Sequence, residues 1–190
     1  CTSTLTNATQ DDSDCDDDDA TINPDTVWYA DTDGDGYGDP NTSETGCSST
    51  LTNATQDDSD CDDEDATINP DTVWYADTDG DGYGDPNTSE TGCTSTLTNA
   101  TQDDSDCDDE DATINPDTVW YADTDGDGYG DPNTSETGCS STLTNATRDD
   151  QDCDDSDATI NPDTVWYADT DGDGYGDANT SEIGCTSTLT

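Results

Sequence analysis

One 46-residue unit runs four times through the chain, at 1–46, 47–92, 93–138 and 139–184, and residues 185–190 open a fifth copy. A fixed period of this length limits the fold, because each unit can bury its faces only against its neighbours. Every copy carries Ala-Asp-Thr-Asp-Gly-Asp-Gly-Tyr-Gly-Asp, first at Ala30 to Asp39 and again from Ala76, Ala122 and Ala168. Acids alternating with glycine suit a hard cation, since carboxylate oxygens coordinate it and glycine permits the sharp turn. The expected fold is a linear array, solenoid-like or beads on a string, of small irregular β repeats stabilised by calcium. Short strands and no significant helix are expected, because Asp, Thr, Ser, Gly and Pro dominate.

Charge decides what such an array needs. The chain holds 51 acidic residues, one basic residue (Arg148) and no histidine, a formal charge of −50. So acidic and apolar-poor a chain is disordered unless something offsets its repulsion. The nine cysteines and the Trp-Tyr pair of each unit point the other way, so the expectation is disorder without metal and order with it. Units this small usually need disulfides or metals as staples, and cysteines at this density in an acidic chain indicate an oxidising, extracellular or cell-surface setting. No stretch is apolar enough for a signal peptide or a membrane span. The chain opens at Cys1 and closes in the start of another unit, so it is expected to be a window on a longer array.

Within the first unit, a Ser/Thr-rich segment from Cys1 to Gln10 precedes an acidic block, Asp11 to Asp19. Thr26 to Ala30 is the run with strand character. It feeds the Asp/Gly loop, and Pro40 to Gly46 reads as a link to the next copy.

Numbered as an EF-hand-type loop, Asp31, Asp33 and Asp35 fall at positions 1, 3 and 5, Gly36 at the turn, Tyr37 at the carbonyl position and Asp39 at position 9. The same register places Asp77, Asp79, Asp81, Tyr83 and Asp85 in the second unit, and Asp123, Asp125, Asp127, Tyr129 and Asp131 in the third. In the fourth it places Asp169, Asp171, Asp173, Tyr175 and Asp177. The match ends at Thr42, where an EF-hand supplies glutamate, so Glu44 or an aspartate of an acidic block must complete the site. The block offers a second site of its own: Asp12, Asp14, Asp16, Asp17 and Asp19, with Asn23 as a further oxygen donor. Its copies are Asp58, Asp60, Asp62, Asp63 and Asp65; Asp104, Asp106, Asp108, Asp109 and Asp111; and Asp150, Asp152, Asp154, Asp155 and Asp157. About two Ca2+ per repeat is one expectation; a block that completes the loop site is the other. A plain flexible acidic linker is the third reading, weakened by glycine recurring at the turn position four times.

The cysteines allow two phases. Pairing Cys1 with Cys15, Cys47 with Cys61, Cys93 with Cys107 and Cys139 with Cys153 leaves Cys185 over; the other phase starts at Cys15–Cys47 and leaves Cys1. The first is preferred, since it closes the Ser/Thr segment against the acidic block. Sequons stand at Asn7, Asn41, Asn53, Asn87, Asn99, Asn133, Asn145 and Asn179, making attached glycans a candidate modification. Alternation puts Val27 and Tyr29 on one side and Trp28 on the other. The aromatics serve either as packing or as an exposed glycan platform.

The loop Asp-Thr-Asp-Gly-Asp-Gly-Tyr-Gly-Asp resembles those of thrombospondin type 3 repeats. The order Asp14-Cys15-Asp16-Asp17-x-Asp19, Ile22-Asn23-Pro24, Trp28-Tyr29-x-Asp31 resembles the "putative metal-binding motif" repeats of secreted bacterial surface proteins. That resemblance implies calcium-stabilised, extracellular, structural or adhesive repeats without a catalytic residue. The expected function is a calcium- and disulfide-rigidified stalk, surface fibre or filament in which identical chains are candidate partners. An adhesin or glycan-binding array, and a calcium-sequestering or mineral-associated polymer, are the rivals. An enzyme is not expected, since no histidine is present and no nucleophile is visibly activated. Nucleic acid is excluded as a partner at this charge, because phosphates require cationic contacts.

Overall fold

The computed structural model describes residue 9 and residues 11–189. Its secondary structure is four antiparallel hairpins, and no helix occurs among the described residues. Strand β1 (Val27–Tyr29) pairs with β2 (Ser43–Thr45), β3 (Val73–Tyr75) with β4 (Ser89–Thr91), and β5 (Val119–Tyr121) with β6 (Ser135–Thr137). Strand β7 (Val165–Ala168) pairs with β8 (Asp177–Ile183). The Val-Trp-Tyr strands fall where β-branched and aromatic residues predict them. Their Ser-Glu-Thr partners lie in the stretch that reads as a linker, because those residues carry little strand preference of their own. Register puts Trp28 opposite Glu44, and the Trp28 indole donates to the Gly46 carbonyl at 2.8 Å. Trp74, Trp120 and Trp166 repeat that bond, so each indole spends its donor within its own hairpin.

A third segment joins the first three hairpins. Tyr29 exchanges both backbone hydrogen bonds with Thr55 of the following repeat, as Tyr75 does with Thr101 and Tyr121 with Thr147. The Ser/Thr-rich segment therefore belongs, in packing, to the hairpin before it. Asn53, Asn99 and Asn145 hold positive φ there, at 41° to 44°, a conformation asparagine tolerates better than most residues.

The chain divides into two compact units, Cys1–Tyr75 with Thr88–Gln102, and Ala76–Asn87 with Asp103–Thr190. Their cuts do not fall at the 46-residue boundaries. The loop 76–87 groups with 103–190 because its bonds run forward, to the next acidic block.

Little apolar matter is enclosed. Among the described residues, Ala30, Ala76, Ala122 and Ala168 are the buried hydrophobic ones, and no large side chain is fully buried. Covalent staples take the place of a core. Disulfides join Cys15 to Cys47, Cys61 to Cys93, Cys107 to Cys139 and Cys153 to Cys185, with Cα atoms 5.2–5.3 Å apart. This corrects the preferred 14-residue pairing: Cys47 bridges to Cys15 rather than Cys61, Cys93 to Cys61, Cys139 to Cys107, and Cys185 is bonded. The physical reason is the hairpin. Gly46 N–H bonds to the Thr26 carbonyl, which zips the two ends of the repeat together and carries Cys47 back to Cys15. The Ser/Thr segment meanwhile leaves to pair with Tyr29. Cys1 and Asn7 lie outside the described residues.

The fourth hairpin differs. Ala178 stands where the other copies have Pro40, Pro86 and Pro132, and its free N–H lets β8 begin at Asp177. Nothing in the structure explains Ile183, which is 67 % exposed.

Candidate metal centre

Each Asp/Gly loop leaves its strand at a buried alanine, so its first aspartate starts under cover. Asp31, Asp77 and Asp123 are 4–5 % exposed. Asp31 N–H bonds to the Thr52 carbonyl, and Asp39 N–H returns to the Ala30 carbonyl. Between these anchors the loop turns around its own carboxylates. Gly34 N–H donates to Asp31 Oδ1 at 2.7 Å, Gly36 N–H to Asp31 Oδ2 at 3.2 Å and Tyr37 N–H to Asp35 Oδ1 at 2.9 Å. Gly34 and Gly36 take φ of 83° and 98°, which a side chain disfavours. As a result Asp31, Asp33 and Asp35 offer carboxylate oxygens within 4.8 Å of one another. The same trio forms at Asp77, Asp79 and Asp81, at Asp123, Asp125 and Asp127, and at Asp169, Asp171 and Asp173.

Beside three of these trios stands an acid of the following repeat, outside the set of mutually close oxygens but near enough for its charge to act on the middle aspartate. Asp60 N–H bonds to the Gly38 carbonyl at 3.2 Å, holding a 9 % exposed side chain against the loop. Asp60 Oδ1 accepts from the Cys61 and Asp62 amides. Asp60 Oδ2 is buried without a partner, and so is Asp33 Oδ2. The pattern recurs at Asp79 with Asp106 and at Asp125 with Asp152. A buried carboxylate oxygen left bare is costly, and here the bare oxygens come in pairs, one from a loop and one from the next acidic block. Burial foremost, with the charges of Asp35, Asp60 and Asp31 adding to it, holds Asp33 above the ordinary carboxylate pKa. Asp60 is raised chiefly by burial and further by Asp35 and Asp63.

Outer contacts aim these ligands. Asp63 takes the Thr32 amide at 2.8 Å and its hydroxyl at 2.6 Å, and Asp109 and Asp155 do the same to Thr78 and Thr124. Asn69 Nδ2 donates to Asp35 Oδ2 at 2.9 Å, a bond repeated by Asn115 and Asn161. The Tyr37 hydroxyl donates to Asp71 Oδ2 at 2.7 Å, as Tyr83 does to Asp117 and Tyr129 to Asp163. Gly38 marks how closely the two repeats meet: a Cβ there lies 2.7 Å from the Asp57 carbonyl and 2.6 Å from Tyr29 Cβ. Gly38→Ala is expected to cost about 1–3 kcal/mol by overpacking, read as faster hydrogen exchange at the Thr55 amide.

Several sequence candidates sit elsewhere. Asp39 lies outside the trio, and its carboxylate accepts from the Asn41 amide and side chain and the Thr42 hydroxyl. Asp85, Asp131 and Asp177 likewise cap the Asn that follows them two residues on. Tyr37, Tyr83 and Tyr129, whose backbone carbonyls the loop register picks out, have their side chains held by hydroxyl bonds to the next repeat. Glu44 does not complete the loop; it accepts from Ser49 and from the Thr50 amide and hydroxyl. The acidic blocks form no trio of their own among the described residues. Asp62 caps Glu64, Asp65 binds Thr67, and Asp63 serves Thr32. Asn23 and its copies contribute an N–H to the loop ahead of them, from Asn69 onward, where an oxygen was expected.

The hydrogen bonds of Ser49 and Thr50 hold the Glu44 pKa down, from 4.5 to about 2. A depressed carboxylate stabilises the fold above its ordinary value and loses that contribution as pH falls toward the folded value. The melting temperature of Glu44→Gln is therefore expected below that of the parent at pH 6. The gap should close as pH drops from about 4.5 to about 2, measured by circular dichroism in each buffer.

The structure contains its own control. The fourth loop is less covered than the others: Asp171 and Asp173 are exposed, Tyr175 is 82 % exposed and Tyr167 50 %. Asp14, the first copy of that acid, is exposed, whereas Asp60 is buried.

Comparison with known proteins agrees on where the motif lies. Residues 14–27, 60–73, 106–119 and 152–165 match a family model described as a putative metal-binding motif, whose label names copper. Each repeat thus carries one copy of that motif. The three later matches each begin at the acid that closes a preceding loop and include the Asp, Asn and Asp that grip it. No curated protein and no solved structure matches the chain.

Proposed function

We propose that the chain is a non-enzymatic, extracellular structural repeat protein in which Ca2+ closes the joint between one repeat's loop and the next repeat's motif. The observation that carries this reading is the threefold pairing of bare, buried carboxylate oxygens, Asp33 with Asp60, Asp79 with Asp106 and Asp125 with Asp152. At the first joint Asp60 adds its charge to the Asp31, Asp33 and Asp35 trio, and a divalent ion removes that repulsion. The reading takes one ion per joint over two per repeat, supported by the rest of the block bonding to hydroxyls and amides. Oxygen ligands in a flexible loop favour calcium over magnesium, which demands a near-octahedral shell. Copper, named in the family label, prefers imidazole, thiolate or thioether donors; histidine and methionine are absent and the described cysteines are bridged. The disulfides support an oxidising location. Rigid joints repeated along a chain suit a stalk or fibre.

The test is a titration from EDTA to several millimolar calcium, followed by tryptophan fluorescence and circular dichroism. A cooperative transition with calcium, at a midpoint of about 10⁻⁴–10⁻³ M for an extracellular site, is expected, and a weaker one with magnesium. Flat spectra throughout overturn the reading. Weak binding without any transition favours a calcium-sequestering polymer instead.

A further inference from the structure

We propose that the two Asp-Gly bonds of each loop are sites of spontaneous aspartate isomerisation, and that the loop's first aspartate is the clamp that holds this modification off. The proposal rests on the loop alone and needs neither the calcium reading nor the joint with the next repeat.

Asp33-Gly34 and Asp35-Gly36 recur in the other three copies, giving eight such bonds. The chemistry suits this dipeptide because glycine has no side chain to shield its nitrogen. The Gly34 nitrogen attacks Cγ of Asp33, the amide proton and the carboxyl hydroxyl leave as water, and a succinimide ring closes. Water then opens the ring at either carbonyl. Opening at Cγ restores aspartate; opening at the former main-chain carbonyl leaves Gly34 bonded through Cγ, which is isoaspartate. Water is lost and regained, and no oxidant or cofactor enters.

Space does not prevent ring closure. Gly34 and Gly36 are exposed, and a Cβ placed on Gly36, Gly82, Gly128, Gly172 or Gly174 meets nothing within 4 Å. Hydrogen bonds hold the nucleophiles instead. Gly34 N–H donates to Asp31 Oδ1 and Gly36 N–H to Asp31 Oδ2, so a single carboxylate restrains both nitrogens. Asp77, Asp123 and Asp169 grip the equivalent glycines in the same way. The clamp does not depend on cover, since the exposed fourth loop keeps both bonds. Its failure has a structural consequence. Isoaspartate inserts a methylene into the main chain and moves the carboxylate, so an isomerised Asp33 leaves the trio it forms with Asp31 and Asp35.

The experiment ages the 190-residue chain, Asp31→Ala and Asp60→Ala for weeks at neutral pH. Isoaspartate is then quantified by mass spectrometry and by an isoaspartate-specific methyltransferase label. Fragments reaching back to Asp18 identify the first loop, because the other copies carry Glu64, Glu110 and Ser156 there. Asp31→Ala should raise isoaspartate in the first loop about 10–100-fold, the factor that a hydrogen bond to a charged group is worth, with the other loops at the parent rate. Asp60→Ala uncovers the same loop but keeps its clamp, and should age as the parent does. Equal ageing of Asp31→Ala and the parent overturns the proposal. So does equal acceleration in both variants, which assigns the protection to cover instead of to the clamp. A parent that ages as fast in its folded form as when reduced in urea overturns it too.

Discussion

Asp60→Ala is expected to weaken calcium binding at the first joint about 100-fold or more, while Asp14→Ala leaves the internal joints unchanged. Losing even an outer partner of a metal ligand typically costs about 10–100-fold, and Asp60 supplies a bare oxygen to the site itself. The two residues occupy the same position of the same motif, at Asp14-Cys15-Asp16-Asp17 and Asp60-Cys61-Asp62-Asp63. They differ in burial, Asp60 being covered and Asp14 exposed. Isothermal titration calorimetry distinguishes the pair. Equal losses in both variants contradict a joint built from consecutive repeats, because only Asp60 is buried against a loop.

Removing a disulfide carries the second large effect. Cys61→Ser/Cys93→Ser releases a closure across 32 residues, worth about 3–4 kcal/mol in the chain-entropy model. In a domain with a large core such a loss is absorbed. Here the buried hydrophobic residues among those described are four alanines, so little remains to absorb it. The calcium-induced circular dichroism change of the second hairpin is expected to vanish at 25 °C or to need roughly 100-fold more calcium, since 1.4 kcal/mol is a factor of ten. Hairpins in the unit Ala76–Asn87 with Asp103–Thr190 hold their own disulfides and should keep theirs, as repeat stability is local. A variant with unchanged calcium midpoint and melting temperature contradicts the view that disulfides substitute for a core.

The loop was legible because its chemistry is local. Alternating Asp and Gly fix which oxygens point inward, and Asp31, Asp33 and Asp35 form the trio that their spacing predicts. Val27 to Tyr29 was legible for a similar reason. The partner strand was not, since Ser43-Glu44-Thr45 pairs through backbone bonds that its side chains do not announce. Asp39 and Glu44 read as ligands because an acid near a calcium loop looks like one, while hydroxyls three to six residues away compete for it. The disulfide phase was hidden by symmetry: spacings of 14 and 32 fit a periodic sequence equally well, and the hairpin decides between them. The reach of Asp63 to Thr32 and of Asn69 to Asp35, across 31 and 34 residues, leaves no signal in copies so nearly identical. Arg148, the lone cation, stands 4.0 Å from Asp111 with both side chains more than 40 % exposed. A pair so exposed is worth about 0–1 kcal/mol, so it does not explain how the array is held.

Amide hydrogen exchange with and without calcium tests the joint most directly. The amides of Thr55, Asp60, Thr101, Asp106, Thr147 and Asp152 donate across the three joints. They should be protected in calcium and exchange freely in EDTA with the disulfides intact. Gly172 and Gly174, whose amides bond to Asp169 within the exposed fourth loop, should gain much less protection. Protection at the six joint amides that is unchanged by EDTA contradicts a calcium-closed joint.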